Sequence, residues 1–275
     1  YERDEIDDYH PGYDHRIKLD YDVWGFFVQD DFKVTDQFSI LAGLRADNHS
    51  AVSDTIVSPR LSAMFSVNNN FRIRANYAKG FKAPVVFDED LHITISGGDP
   101  TFHFNDPDLK EETATSYSLS AEFTNQTEDY AFRFETNGFY TELEDTFVHD
   151  EVESSDDIIL FKRINGGSSK VYGVEFNSEL NFTNGFSLQA GFTSQRTSLD
   201  EPEPDFGAEE YFRTPDNYGF LAAMYSTTSF TLSGSVNYTG SMLAPHYAGY
   251  IEEDVLEETE DFWVVNSRIE IPLNI

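Results

Sequence analysis

Seven histidines are the residues of this sequence that most readily suggest catalysis or metal binding, since imidazole both transfers protons and ligates metals. None of them has the tight spacing of a zinc-binding motif. The sequence also lacks the Gly-x-Ser-x-Gly and His-Glu-x-x-His elements of common hydrolases. Carboxylates are numerous, but no pair stands out from the crowd of acids. We therefore predict that the protein is not an enzyme and that it carries no metal or cofactor of its own.

Composition excludes several further classes of protein. The 275 residues include no cysteine, so neither disulfides nor thiolate metal sites are possible. The formal net charge of −32 argues against a nucleic-acid partner. No apolar run reaches the ~18 residues that a transmembrane helix requires, and the start "YERDEIDDYH" has no signal-peptide core. A membrane β-barrel remains possible, because its alternating strands keep mean hydropathy low.

Alternation of apolar and polar residues predicts about eleven β-strands. Each is near the ~9–11 residues that cross a bilayer at a tilt, and no helical periodicity interrupts them. The predicted strands are residues 22–34, 38–47, 59–67, 71–81, 116–123, 130–140, 171–182, 186–195, 217–225, 230–238 and 262–273. No linker or change of composition divides the chain, so we expect residues 1–275 to form a single β-barrel region.

The connections between these strands alternate in length. Tight turns occur at "TDQ", "NNN", "NQTED", "TNG" and "TTS". Longer connections lie between them, at about residues 51–57, 85–112, 141–157, 199–210 and 241–261. An up-and-down sheet with this alternation has all of its long loops at one end, as transmembrane β-barrels do. A Greek-key sandwich mixes its connection lengths less regularly.

Acidic residues are concentrated in the connections and at the start of the chain. Residues 1–20, 85–112, 141–157, 199–210 and 248–261 contain 36 of the 50 acidic residues but only 4 of the 18 basic ones. The rest of the chain has equal numbers of both signs, so the whole net charge lies in these segments. This pattern is explained either by ordinary solvation of polar loops or by an acidic outer end that attracts cations and repels anions.

The stretch "RIRANYAKGFKAP", residues 72–84, shows how the two faces of a strand differ. Phe71, Ile73 and Tyr77 alternate with arginine and asparagine. Similar strands have aromatic residues at their ends and smaller apolar residues between them, which is typical of the aromatic girdles of a membrane barrel. Periodicity alone does not decide between lipid and a protein core for the apolar face. Strand length, loop alternation and terminal aromatics together favour lipid outside and a wet lumen inside.

Five segments resemble conserved boxes of the TonB-dependent outer-membrane receptors, in the order of that family. They are "FFVQDDFKVTDQFSILAGLRAD" (26–47), "SPRLSAMFSVNNNFRIRANYAKGFKAP" (58–84), "NDPDLKEETATSYSLSAEF" (105–123), "INGGSSKVYGVEFNSEL" (164–180) and "RTPDNYGFLAAMY" (213–225). The second has Lys82 where the family usually has arginine. Other segments resemble receptors of the Bacteroidetes type.

The resemblance implies an all-β, antiparallel transmembrane barrel of which this chain is a fragment. Receptors of this family have an N-terminal plug domain and 22 barrel strands, and neither a plug nor a TonB-interacting segment is recognisable here. We expect the eleven predicted strands to correspond to roughly strands ten to twenty. The family also implies outer-membrane lipid, the TonB complex and a small metal chelate as partners, in the outer membrane of a Gram-negative bacterium.

The resemblance assigns expected roles to individual residues. Arg72, Arg74, Glu122 and Glu175 are expected to face the lumen or the plug, where the arginines pair with plug carboxylates or only hydrate the wall. The connection 85–112 is the expected ligand-contact region. Its candidate residues are His92, Phe102, His103 and Phe104, and one of its histidines would ligate iron if the ligand is haem.

The expected function is TonB-energised uptake of a scarce ligand such as a ferric siderophore, haem or cobalamin. Two other classes remain open from the sequence. One is a passive porin-like or adhesin barrel without energy coupling, and the other is a secreted soluble β-sandwich that binds a ligand. A plug sequence would argue against the first, and a requirement for detergent would argue against the second.

Overall fold

The computed structural model describes residues 1–12, 14–85, 94–96, 99–155, 158–247 and 252–272. Within these ranges the chain forms strands and turns, and no helix there is long and apolar enough to cross a membrane. The strands are β1 (Glu2–His10), β2 (His15–Lys33), β3 (Phe38–His49), β4 (Ile56–Ser66), β5 (Phe71–Lys82), β6 (Thr94–Ser96), β7 (Asp99–Asn105), β8 (Glu112–Gln126), β9 (Tyr130–Glu144), β10 (Phe147–Ser155), β11 (Ile158–Asn165), β12 (Ser169–Phe182), β13 (Phe186–Leu199), β14 (Asn217–Ser226), β15 (Thr231–Thr239), β16 (Leu243–His246), β17 (Val255–Glu258) and β18 (Phe262–Glu270).

Twelve strands form one antiparallel sheet, and within this sheet the strands follow one another in the order of the chain. The order is β1-β2-β3-β4-β5-β8-β9-β12-β13-β14-β15-β18, and β1 and β18 are its two edges, so the described residues form an open wall. Tight turns at 34–37, 67–70, 127–129, 183–185 and 227–230 lie at one end of this wall. The long connections lie at the other end. The all-β, up-and-down prediction is therefore confirmed, with one strand more than the eleven expected.

The additional strand is β1, in a segment that the sequence predicted to be a connection. It pairs with the first half of β2, which is 19 residues long and pairs with β3 only from Val23 onward. The hairpin therefore projects beyond the rest of the wall. Its acidic residues are compatible with pairing because opposite charges contact each other diagonally across the two strands, as in Arg3–Asp20 at 2.5 Å and Arg16–Asp7 at 2.8 Å.

Three of the long connections contain strands of their own, where the sequence predicted only loops. β6 and β7 come from the connection between β5 and β8, and β10 and β11 come from the next long connection. These four strands form a second sheet with the order β10-β11-β7-β6, in which β11 and β7 run parallel. A separate hairpin, β16–β17, lies in the last connection. We call the four-stranded assembly the loop sheet.

The register of the large sheet places its apolar side chains in rows on one face. Near the long-connection end, Tyr77, Tyr117, Tyr140 and Tyr172 form a ladder of rings whose successive centroids are 5.2, 6.4 and 6.4 Å apart. Phenylalanines and Tyr130 occupy the same face near the tight turns, where Tyr130 and Phe182 are 6.1 Å apart. Two aromatic levels separated by smaller apolar residues correspond to the girdles at the two interfaces of a bilayer.

Little of this apolar face is covered by protein. Leu119 is 59% exposed and Phe176 is 41% exposed, although both lie in the middle of long strands. Buried aromatic and aliphatic residues include Tyr21, Ile56, Phe102, Leu109 and Ala208, and each of these lies outside the centre of the wall. A soluble sandwich would bury this face in a core between two sheets. An exposed apolar band of this extent, bordered by aromatic residues at both margins, is typical of the lipid-facing surface of a membrane barrel.

Candidate ligand-contact region and polar face

The polar face of the large sheet carries a chain of ion pairs centred on Glu122. Arg72 on β5 contacts one Glu122 carboxylate oxygen at 2.8 Å, and Arg133 on β9 contacts the other at 2.8 Å. Arg133 also contacts Glu135 at 2.6 Å. The register places these side chains together, because Arg72 pairs with Glu122 and Glu122 with Glu135 across the strands. Four charged side chains on three neighbouring strands therefore neutralise one another.

The other two residues predicted to face the lumen lie on the same face. Glu175 accepts a hydrogen bond from the Asn137 side-chain amide at 3.1 Å. Arg74 lies across from Ser120, and its guanidinium reaches the sulfur of Met64 at 3.7 Å. Arg72, Arg74, Glu122 and Glu175 thus share one face of the wall. That this face borders a lumen or a plug remains a prediction.

The loop sheet is fixed to the end of the wall by a buried arginine. Arg163 on β11 is 1% exposed, and its Nη1 donates a hydrogen bond to the Asn105 side-chain oxygen at 2.8 Å. The Asn105 amide in turn donates to the backbone carbonyl of Pro84 at 3.1 Å. Pro84 follows the last residues of β5. The hydrogen bonds of Arg163 and Asn105 therefore connect the parallel strands β7 and β11 to the end of β5.

A second contact closes the base of the loop sheet. Lys162 forms an ion pair with Asp106 at 3.0 Å, and the backbone N–H of Asp106 donates to the Arg163 carbonyl at 2.9 Å. The backbone N–H of Asp108 also donates to the Asp106 carboxylate. This hydrogen bond, followed by the Lys162 ammonium, lowers the pKa of Asp106, and Asp106 raises the pKa of Lys162. Both groups are therefore charged at neutral pH.

The structure places the residues predicted to contact a ligand on different surfaces. Phe102, His103 and Phe104 are consecutive on β7, so the two phenylalanines lie on one face of the loop sheet and His103 on the other. Phe102 is buried and Phe104 is exposed. His92 lies outside the described residues. The predicted group therefore does not form one surface: Phe104 is presented to solvent, Phe102 packs inside, and His103 has different neighbours.

His103 meets two aromatic residues that the sequence did not single out together. Its ring stacks on Phe161 with centroids 5.5 Å apart, and the His149 ring lies edge-on at 4.7 Å. Phe161 is its register partner on β11, and His149 is on β10. Positions 103 and 149 belong to different connections, and no local sequence pattern predicts their contact. The pairing of β11 with both β10 and β7 brings them together.

Two further long connections, between β13 and β14 and between β15 and β18, contact each other through aromatic rings. Phe206 lies 5.7 Å from Phe212 and 5.7 Å from Tyr247, with its ring edge-on to both. Burial here, reinforced by the nearby carboxylates of Glu203 and Asp205, raises the pKa of the Tyr247 hydroxyl. Burial likewise raises the pKa of Asp205, followed by repulsion from Glu203 and other acids. Tyr247 is nevertheless 54% exposed, so these rings join the two connections at the surface rather than inside a core.

Among the described residues, no group of three or more histidine, aspartate or glutamate side chains is arranged to hold a metal ion. The loop sheet and its neighbouring connections therefore present aromatic rings, imidazoles and carboxylates without a closed metal cage. Such a surface is suited to contact a ligand from outside. The polar face, by contrast, lies along the full height of the wall.

A long antiparallel wall with one polar face, one lipid-requiring face and elaborated connections at one end is the wall of a transmembrane β-barrel. The sequence profile described as TonB dependent receptor-like, beta-barrel, matches residues 1–274. The chain belongs to this family, whose members are outer-membrane receptors and not enzymes.

Curated relatives are similar over parts of the chain. One is the probable hemoglobin and hemoglobin-haptoglobin-binding protein 4 of Haemophilus influenzae, 30% identical over 163 residues, which are 52% of this chain and 16% of that protein. Another is the iron-regulated outer membrane virulence protein of Vibrio cholerae, 21% identical over 255 residues, which are 87% of this chain and 37% of that protein. The chain thus spans well under half the length of these relatives.

Solved structures share the fold. The siderophore receptor PirA from Acinetobacter baumannii superimposes with a TM-score of 0.69 at 17% identity, over 92% of this chain and 40% of that chain. The ferric enterobactin receptor PfeA from Pseudomonas aeruginosa, in complex with BCV-L6, gives a TM-score of 0.70 at 16% identity, over 94% of this chain and 38% of that chain. At this identity the likeness shows the architecture alone.

Proposed function

We propose that the complete protein is an outer-membrane receptor that takes up a scarce ligand, such as a ferric siderophore, haem or cobalamin, with energy delivered through TonB. Residues 1–275 act as a single barrel region in this proposal. The apolar face contacts lipid, the polar face borders the lumen, and the long-connection end faces outward. The observation that carries the proposal is the family match over residues 1–274 on a wall with this division of faces.

The named relatives support a ligand of the iron-chelate or haem class. Their names describe a hemoglobin-binding protein, siderophore receptors and a ferrienterobactin receptor. The fold argues against the soluble sandwich, because the part of the chain that the structure describes covers little of the apolar face. A passive porin-like or adhesin barrel would share the wall, and dependence on TonB distinguishes it from the proposed receptor.

The experiment for energy coupling uses cells that express the full-length protein. Uptake of haem, a radiolabelled ferric catecholate and cobalamin is measured with and without a functional tonB gene. The proposal predicts that one of these ligands is taken up with saturation and that uptake falls to background without TonB. Uptake that persists unchanged in the absence of TonB would favour the passive barrel.

Two histidines of the connection 83–111 allow an experiment that distinguishes haem from the other candidate ligands. We propose that His92 or His103 ligates haem iron if haem is the ligand, since imidazole is a common axial ligand. The double variant His92→Ala/His103→Ala should then bind haem more weakly, with a changed absorption spectrum. Saturable haem binding that survives this double substitution would refute histidine ligation. A receptor that binds no haem leaves the siderophore and cobalamin alternatives.

A further inference from the structure

The apolar face of the wall carries a lysine next to the tyrosine ladder. Lys79 follows Tyr77 at the next position of β5 on this face, toward the long connections. At 3.3–3.4 Å per residue, the two positions are about 7 Å apart along the strand. Because aromatic girdles mark the interfaces of a bilayer, Lys79 lies at the level of the lipid headgroups.

Lys79 differs from two other basic residues of this face in having no carboxylate partner. Lys170 forms an ion pair with Asp200 at 2.8 Å, and Arg196 forms one with Asp216. Among the described residues, no ion pair or hydrogen bond engages the Lys79 side chain. An unpaired ammonium group at the margin of the hydrocarbon is costly unless an anion or water meets it. Lys79 is therefore available to an anion from the membrane.

Hydroxyl groups lie beside Lys79 on the same face. Thr115 is its register partner on β8. Tyr77 and Tyr117 occupy the next position down the face, with ring centroids 5.2 Å apart. The hydroxyl groups of these three residues have no hydrogen-bond partner within the part of the chain that the structure describes. One ammonium and several hydroxyl groups suit a phosphate, which accepts several hydrogen bonds.

The acidic residue of this row is further away. Glu142 on β9 lies across from Thr115, one strand beyond it as seen from Lys79. Neighbouring strands are about 4.8 Å apart, so about 10 Å separate the backbones of Glu142 and Lys79. The other register partner of Glu142 is Lys170, which has the opposite charge. The carboxylate of Glu142 is therefore placed beside Lys170 rather than beside Lys79.

A groove in the apolar face begins directly below the tyrosine ladder. It has a volume of about 700 Å³ and lies between the ladder and the next row of the face, which includes Leu119, Gly138 and Val174. Gly138 opens the groove because it contributes no side chain to this row. A Cβ atom placed on Gly138 would meet no atom closer than 4.0 Å. The groove is thus an apolar channel of the width left by one missing side chain.

We propose that one phosphate-bearing lipid binds here, with its phosphate on the Lys79 ammonium group and an acyl chain in the groove at Gly138. Gly138 lies level with Ala75, four residues below Lys79. This is about 13 Å along the strand, less than the ~15 Å of hydrocarbon in one leaflet. In the outer leaflet, to which the proposed orientation assigns this end, such a lipid is lipid A, a phosphorylated glycolipid. The inference rests on the membrane orientation in the proposed function and not on chelate uptake.

The test measures binding of lipid A to the full-length protein in detergent by native mass spectrometry. Divalent cations are removed, so that no metal ion bridges a carboxylate to a phosphate. Lys79→Gln should weaken lipid A binding about tenfold, because one charge-assisted contact is lost, whereas Lys79→Arg should retain it. Gly138→Leu should weaken binding about threefold, because the new side chain occupies the groove and removes its contacts with the acyl chain.

Lys170→Gln is the matched control, because Lys170 is a lysine on the same face that already has a carboxylate partner. It should change the affinity for lipid A less than about twofold. An excess of inorganic phosphate should not displace the lipid, since phosphate has no acyl chain; displacement would indicate a simple anion site and overturn the lipid assignment. The proposal is also overturned if Lys79→Gln binds lipid A as the unsubstituted protein does, or if Lys170→Gln loses as much affinity as Lys79→Gln. These outcomes are separate from uptake, because uptake without TonB would count against the proposed function alone.

Discussion

Glu122 is the residue on which the charges of the polar face converge. Its side chain is 16% exposed and accepts from Arg72 and Arg133, both of which are about half exposed. A carboxylate that is mostly withdrawn from water and neutralised by two guanidinium groups contributes more than an isolated surface pair. The same carboxylate also keeps two arginines oriented on neighbouring strands.

Replacing Glu122 tests this contribution. Glu122→Ala should lower the free energy of unfolding by about 1–3 kcal/mol, since two charge-assisted contacts are lost and both guanidinium groups lose a partner. The measurement is denaturant unfolding of the full-length protein in lipid. Arg74→Ala is the control, because its guanidinium reaches the Met64 sulfur rather than a carboxylate, and it should cost less than about 0.5 kcal/mol. Equal losses for both variants would show that the ion-pair chain contributes nothing specific.

At the scale of the strand, alternation assigns each side chain to lipid or to the lumen. Leu119 on β8 lies on the apolar face between the two aromatic levels, with Ala75 and Gly138 as register partners. Gln189 on β13 lies on the polar face beside Glu179. Both side chains are exposed in the wall. They therefore provide a pair of sites that differ mainly in the face they occupy.

Arginine should cost much more stability at the first of these sites than at the second. Leu119→Arg should destabilise the barrel by about 2–4 kcal/mol, the cost of a cation near the bilayer midplane. Gln189→Arg should cost less than about 1 kcal/mol, because the new guanidinium reaches water and Glu179. Unfolding in lipid vesicles measures both. A Gln189→Arg loss as large as that of Leu119→Arg would contradict the assignment of faces.

The strands of the wall were largely predictable from sequence, because each carries a local signal of period two. The predicted starts at residues 38, 71, 130, 186, 217 and 262 coincide with the starts of β3, β5, β9, β13, β14 and β18. β1 was missed, since "ERDEIDDYH" has almost no apolar alternation and pairs through charges that lie on β2. Its ion pairs join residues 9 and 17 positions apart, which the pattern of β1 alone does not show.

The loop sheet and its side-chain contacts were not predictable, because they depend on pairing between two connections. The parallel contact of β7 with β11 joins residues 58 positions apart, such as Asn105 and Arg163. Sequence placed His103 in a ligand-contact region but gave no reason to consider His149. Likewise, alternation put Arg72 and Glu122 on polar faces, whereas their shared partner Arg133 requires the strand register.

At the scale of the whole molecule, the distribution of acidic residues and the lengths of the connections both distinguish one end of the wall from the other. The acidic residues are concentrated in the long connections and the β1–β2 hairpin, which all lie at one end of the wall, while the opposite end consists of tight turns. The tyrosine ladder lies toward the acidic end and the phenylalanines toward the turns. In the proposed receptor, the acidic end faces outward and the turns face the periplasm.

Accessibility of the two ends on intact cells tests this orientation most directly. The chain has no cysteine, so single cysteines report without background from this region. Cysteines at Asp36, Asn69 and Thr228 lie in tight turns, and cysteines at Asp108, Glu201 and Glu253 lie in exposed long connections. With an impermeant thiol reagent, we predict that the second set is labelled on intact cells and that the first set is labelled only after the outer membrane is opened. Labelling of the turn set on intact cells, with protection of the connection set, would contradict the transmembrane receptor.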